Sequence, residues 1–136
     1  MKPSTVLVPL DGSTLAEKAL APAIGFAREG AALVLIRAAE TVDDPDGAVV
    51  REAELYLAGV VERLRRVGVR YVEASIGHGA PVDAIANAAR IRKPDLIVMS
   101  THGRTGFGRL VLGSVTEGVL RATTTPLLLL RPQPSP

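Results

Sequence analysis

Apolar residues in this chain come in short solid runs, separated by stretches in which they recur every three or four positions. Val6-Leu7-Val8-Pro9-Leu10 is the first such run, and Asp11-Gly12-Ser13 closes it, as expected of a buried strand ending in a turn. Thr14 and Glu17 have the spacing of a capping box, after which Ala16, Ala19, Leu20, Ala23, Ile24 and Ala27 recur at helical spacing as far as Gly30. Pro22 lies inside that stretch and predicts a kink, because it removes a backbone donor. Ala32 to Ile36 predicts a second buried strand, and Asp43 to Gly47 a polar loop. Val50, Ala53, Leu57, Val60, Leu64 and Val67 mark a long amphipathic helix ended by Gly68. From Val69 to Ile76 the pattern changes: Val72, Ala74 and Ile76 alternate with Glu73 and Ser75, as on a half-exposed edge strand. Pro81 opens a helix, Leu96 to Met99 is apolar throughout and predicts a central strand, and Leu112, Val115, Val119 and Ala122 mark a last helix. Leu127-Leu128-Leu129-Leu130 follows Pro126 as a fifth strand.

Strands alternating with helices imply right-handed crossovers, hence an α/β fold: a doubly wound, five-stranded parallel sheet with helices on both faces. The edge character of the third strand gives the order 3-2-1-4-5. Its direction reverses between strands one and four, and ligands of such sheets bind beyond the strand carboxyl ends at that point. The turn from Pro9 to Ser13 and the loop from Ser100 to Gly113 are therefore the segments to watch.

The 136 residues suit one domain with a frayed tail over 131–136. Cysteine is absent, which excludes a disulfide framework and a thiolate metal site. The first apolar run is too short for a signal-peptide core or a membrane span, so a cytoplasmic protein with no membrane association is expected. A net charge of +2, dispersed basic residues and only four aromatics give no footprint for nucleic acid. Arg63, Arg65 and Arg66 fit the solvated face of the long helix.

Ser100-Thr101-His102-Gly103-Arg104-Thr105-Gly106-Phe107-Gly108-Arg109 concentrates three glycines, two arginines and a histidine directly after the central strand. Glycines let backbone amides approach phosphate oxygens, arginines add charge-assisted contacts, and a helix starting near Gly113-Ser114 supplies unpaired amides. The familiar phosphate motifs do not fit. Gly108 to Gly113 has the glycine spacing of a P-loop, but Ser114 and Val115 stand where Lys and Ser/Thr are required. Gly77-His78-Gly79 lacks the third glycine of a dinucleotide fingerprint, position 82 being Val.

Over nearly its whole length the chain resembles the universal stress protein family, whose nucleotide-binding pattern is Gly-x2-Gly-x9-Gly-Ser/Thr. Here the pattern reads Ser100-x2-Gly103-x9-Gly113-Ser114, preceded by Met99, with serine in place of the first glycine. The opening Val-Pro-Leu-Asp-Gly-Ser, the Gly79-Ala80-Pro81 turn and the closing Thr125-Pro126-Leu127-Leu128 carry the likeness further. The resemblance implies an adenine nucleotide, ATP, ADP or AMP, often held with magnesium or manganese. It places Pro9, Leu10, Asp11 and Ala38 on the adenine and ribose side, with Gly79 close by. Ser100, Thr101, His102, Gly103, Arg104, Thr105 and Gly106, together with Gly113, Ser114, Val115 and Thr116, hold the phosphates in that scheme. It also implies a homodimer, for which Leu127 to Leu130 is the natural surface: an edge strand apolar on both faces invites association.

Simpler roles exist for several of these residues. Ser114-x-x-Glu117 is itself a capping box, Asp11 before Gly-Ser commonly stabilises a turn, and His78 and His102 are too isolated for a metal site. The residues support a nucleotide-binding regulatory protein of the stress response. The alternatives are a slow ATPase or self-phosphorylating protein, with Ser100, Thr101, Thr105 and Ser114 as acceptors, and a dimeric adaptor that has lost the nucleotide. No general base is evident, and protein partners leave no motif.

Overall fold

The computed structural model describes residues 2–101, 104–106 and 109–131, with backbone alone for 104–106 and 109–111. In chain order the elements are β1 (Thr5–Pro9), α1 (Thr14–Glu17), α2 (Leu20–Arg28), β2 (Ala32–Ala39), α3 (Ala48–Arg66), β3 (Val72–His78), α4 (Pro81–Arg92), β4 (Leu96–Ser100), β5 (Arg104–Gly106), β6 (Arg109–Val111), α5 (Ser114–Ala122) and β7 (Leu127–Leu130). Five strands form one parallel sheet in the order β3-β2-β1-β4-β7, the 3-2-1-4-5 arrangement expected from the apolar pattern. What the sequence presents as a glycine-rich loop holds a further element: β5 and β6 pair antiparallel as a small hairpin.

The period-2 alternation of strand side chains divides the core in two. Val6, Val8, Leu33, Leu35 and Val98 face Ala23 of α2 and Leu57, Val60 and Leu64 of α3. On the opposite face Leu7, Val34, Ile36, Ile97 and Met99 pack against Ile85, Ala88 and Ala89 of α4 and Val119 of α5. At the amino end of the sheet the Asp95 carboxylate accepts hydrogen bonds from the amides of Ser4 (2.5 Å) and Thr5 (3.2 Å), fixing β4 beside β1. No helix among the described residues is long and apolar enough to cross a membrane.

The first helical stretch differs from its sequence pattern. The N-cap is Ser13, whose hydroxyl accepts from the Ala16 amide at 3.1 Å, so Thr14 and Glu17 do not form the capping box their spacing suggests. The helix also breaks. The Lys18 and Ala19 amides bond to the carbonyls three residues back, and α2 starts afresh at Leu20, which puts Pro22 in its first turn. A first-turn residue has no helical acceptor for its amide, so proline there removes nothing. Freed from capping, Glu17 accepts from the Tyr56 hydroxyl (2.6 Å) and from Arg63 (2.9 Å), tying α1 to α3. Arg63 thus bridges two helices and does not simply face solvent.

Helix α4 sits close to β3 and to α5 because a glycine on each leaves room. A Cβ on Gly77 would lie 2.5 Å from the Ala84 Cβ and 3.2 Å from its Cα, and one on Gly118 would lie 2.6 Å from Val82. Since backbone cannot yield as a side-chain tip can, Gly77→Ala is expected to destabilise the fold by about 1–3 kcal/mol, read as a lower urea midpoint.

The α1–α3 tie also sets a pH dependence. Burial pushes the Glu17 carboxyl up, but the Tyr56 hydrogen bond and the Arg63 charge outweigh it and hold it below its ordinary 4.5. Burial and then the Glu17 carboxylate raise the Tyr56 hydroxyl above its ordinary 10.0. The Glu17 contribution to stability is therefore present above pH 4.5 and lost as pH falls through the lowered value; the Tyr56 contribution is present below pH 10.0 and lost at higher pH. Urea titrations should find Tyr56→Phe less stable by about 1 kcal/mol near neutrality, with the gap closing towards acid.

Candidate functional site

Beyond Leu7 and Ile97, β1 and β4 cease to pair, whereas β1 continues beside β2 as far as Pro9 and Ile36. The Leu10 amide extends that second pairing, donating to the Ile36 carbonyl at 2.9 Å. The chain leaves β1 towards α1 and leaves β4 towards the hairpin, and a cleft of about 420 Å³ opens between them at the switch point. Pro9, Leu10, Asp11, Ala38, Met99, Ser100, Thr101, Gly113, Ser114, Val115 and Thr116 line it, all of them expected from the sequence.

Six expected residues remain. Gly79 is not on the wall: its φ of +99° shapes the turn into α4, and its amide donates to the Ala39 carbonyl at 3.1 Å. Pro81 of the same turn lines the cleft in its stead. Arg104, Thr105 and Gly106 form β5, and His102 and Gly103 lie outside the described residues. Leu15, Ala16, Ile36, Arg37 and Ile85 also contribute to the wall. Their sequence context marks them as helix or strand core, and only the closing of the sheet brings them to the cleft.

Thr101 joins the two ends of the hairpin-bearing segment. It is 1% exposed, its amide donates to the Leu130 carbonyl at 3.0 Å, and its Oγ1 accepts from the Gly113 amide at 3.1 Å. The Gly113 N–H is thereby committed within the protein. Gly113 is the N-cap of α5, with φ −66° and ψ 159°, and the first helical bond runs from the Glu117 amide to its carbonyl at 3.0 Å. The amides of Ser114, Val115 and Thr116 precede that bond and stand at the positive end of the helix. Ser114, at the first helical position, caps nothing, so the capping-box reading of Ser114 and Glu117 does not hold. Glu117 is exposed and off the cleft wall.

The opposite rim is built from the ends of β1 and β2 and from α1. Asp11 does serve its turn, Oδ1 accepting from the Ser13 amide at 2.9 Å, and it lines the cleft as well; it is the one carboxylate on the wall among the described residues. Arg37 packs its guanidinium over the Tyr56 ring, 4.9 Å from the centroid. At the bottom, the Ser100 hydroxyl is buried and has no hydrogen-bond partner among the described residues. The cleft thus has helix-terminal amides on one wall and the apolar Pro9, Leu10 and Ala38 on the other. That distribution suits an elongated ligand carrying an anionic group. No cluster of acidic and histidine side chains able to hold a metal ion occurs among the described residues.

Comparison with known proteins agrees with this architecture. The family model described as the universal stress protein family matches residues 3–131. A universal stress protein of Thermus aquaticus is 37% identical over 134 residues, covering 93% of this chain and 98% of that protein. Universal stress protein Rv2005c of Mycobacterium tuberculosis is 36% identical over 135 residues, and there the match spans 45% of the relative's length. Among solved structures, the hypothetical protein MJ0577 superposes with a TM-score of 0.83 at 26% identity, covering 99% of this chain and all of that one. A universal stress protein in complex with cAMP gives 0.78 at 28%, covering 96% and 98%. With its sheet order, its switch-point cleft and a family match from residue 3 to residue 131, this chain belongs to the universal stress protein family.

Proposed function

We propose that this protein binds an adenine nucleotide in the switch-point cleft and acts as a nucleotide-responsive regulator. The observation that carries the reading is the join between Thr101 and Gly113, which sets the amides of Ser114, Val115 and Thr116 at one end of a cleft whose other wall is Pro9, Leu10 and Ala38. A phosphate fits the amide end and a flat apolar base fits the other. The relative solved with cAMP supports the same ligand class. Loop residues of the hairpin segment complete the phosphate side in this scheme, and magnesium or manganese would accompany a triphosphate through the phosphate oxygens.

Calorimetric titration with magnesium-ATP tests the proposal, and no heat beyond dilution from folded, nucleotide-free protein would reject it. Gly113→Val sharpens the test. The extended backbone at Gly113 accepts a β-branched residue, so the fold should survive. The added side chain at the mouth should weaken ATP by about tenfold or more and adenosine much less. Equal losses for both would mean that Gly113 serves packing alone.

Strand β7 supports a second part of the proposal, a homodimer. Among the described residues it pairs only with β4 and lies at the sheet edge, and its four leucines are each half-buried, Leu128 and Leu130 on one core face and Leu127 and Leu129 on the other. Such an edge calls for cover, and the same strand of a second molecule, antiparallel about a two-fold axis, supplies it. Lysines at Leu128 and Leu130 should give monomer or aggregate in light scattering; an unchanged dimer would overturn the interface.

A further inference from the structure

Arg37 is a side chain of the cleft that the reading above does not use. Its side chain is only 18% exposed, and among the described residues its ion-pair partner is Glu52, 3.8 Å away and itself 76% exposed, a loose and well-screened pairing. No hydrogen bond from the guanidinium reaches a described residue. Yet the group is held in place. Tyr56 lies against it, and a Cβ on Gly12 would come within 3.1 Å of Nη1 and 3.4 Å of Cζ and Nη2. Gly12, with φ +88°, therefore lets the turn lie against the guanidinium where any side chain would crowd it. An arginine packed between a ring and a turn keeps its N–H fork in one orientation, and a mostly buried cation without hydrogen bonds gains most from an anion.

We propose that Arg37 forms a second anion site at the ribose end of the cleft, and that the protein prefers adenine nucleotides carrying an additional phosphate on the 2′ or 3′ oxygen. The inference rests on the nucleotide reading above. With the 5′-phosphate at the amides of Ser114 to Thr116, the adenine and ribose fall beside Pro9, Leu10 and Ala38, and the Arg37 guanidinium lines the same cleft against the Gly12 turn that follows Asp11. A phosphate on the ribose then meets the guanidinium fork. The Asp11 carboxylate opposes an anion there, but it is exposed and accepts the Ser13 amide, while Glu52 can swing into solvent.

Titration of the full chain with AMP, adenosine 3′,5′-bisphosphate and adenosine 2′,5′-bisphosphate at fixed ionic strength reads this preference directly. One bisphosphate should bind about tenfold or more tightly than AMP, in keeping with a bidentate, charge-assisted contact. Arg37→Met, which keeps an unbranched stem over Tyr56, should abolish that advantage and leave AMP within about twofold. Equal affinity of the wild-type protein for all three nucleotides would overturn the second site and leave the nucleotide reading standing. That result needs no variant to fold. Binding of none of them would overturn both, and an equal loss of AMP and bisphosphate in Arg37→Met would show that Arg37 only supports the turn.

Discussion

The separation of β1 from β4 beyond Leu7 and Ile97 is the constraint on which the rest of the molecule turns. Two parallel strands in the middle of a sheet would ordinarily stay paired to their ends. Here one connection passes to α1 on one face while the other continues into a hairpin, so the strand ends part and leave a cleft between the two helical layers. The Leu10 amide stays with β2 and the Thr101 amide with β7, so each strand end keeps its pairing on the side away from the opening.

Around that opening, each wall is fixed by a small number of contacts. On one side the buried Thr101 hydroxyl holds Gly113, and through it the start of α5. On the other, Ser13 caps α1, Asp11 holds the turn, and Glu17 ties α1 to Tyr56 and Arg63 of α3. Tyr56 serves both sides of its ring: its hydroxyl anchors Glu17 and its face carries Arg37. These described parts of the cleft wall are therefore held by hydrogen bonds made within the protein.

Membership of the family says less about chemistry than the cleft does. A fold of this kind serves many ligands, and the groups that select among them are few. In this chain the proposed ones are the helix-terminal amides, the Ser100 hydroxyl at the place where the family pattern has glycine, and Arg37. The last two distinguish this cleft from one assembled from glycine backbone alone.

The sequence by itself determined the α/β class and the strand order, because these follow from local signals, and the family resemblance pointed to eleven residues that line the cleft. Apolar runs mark buried parallel strands, Pro81 and Gly68 punctuate helices, and the Ser100 to Ser114 segment carries its own spacing. Three features were decided only by the tertiary structure. Thr14 and Glu17 have capping-box spacing, yet Ser13 caps the helix, since Tyr56 and Arg63, 39 and 46 residues away, offer Glu17 stronger partners than a backbone amide. Gly79 looked like part of the site, but its positive φ turns it to the Ala39 carbonyl and leaves Pro81 on the wall. Arg37 directly follows the run Ala32 to Ile36 that reads as a buried strand, and nothing near it in sequence marks it for a site. Its place at the cleft comes from β2 meeting α3 and the Gly12 turn in space, and a contact between distant segments leaves no periodic trace in the chain.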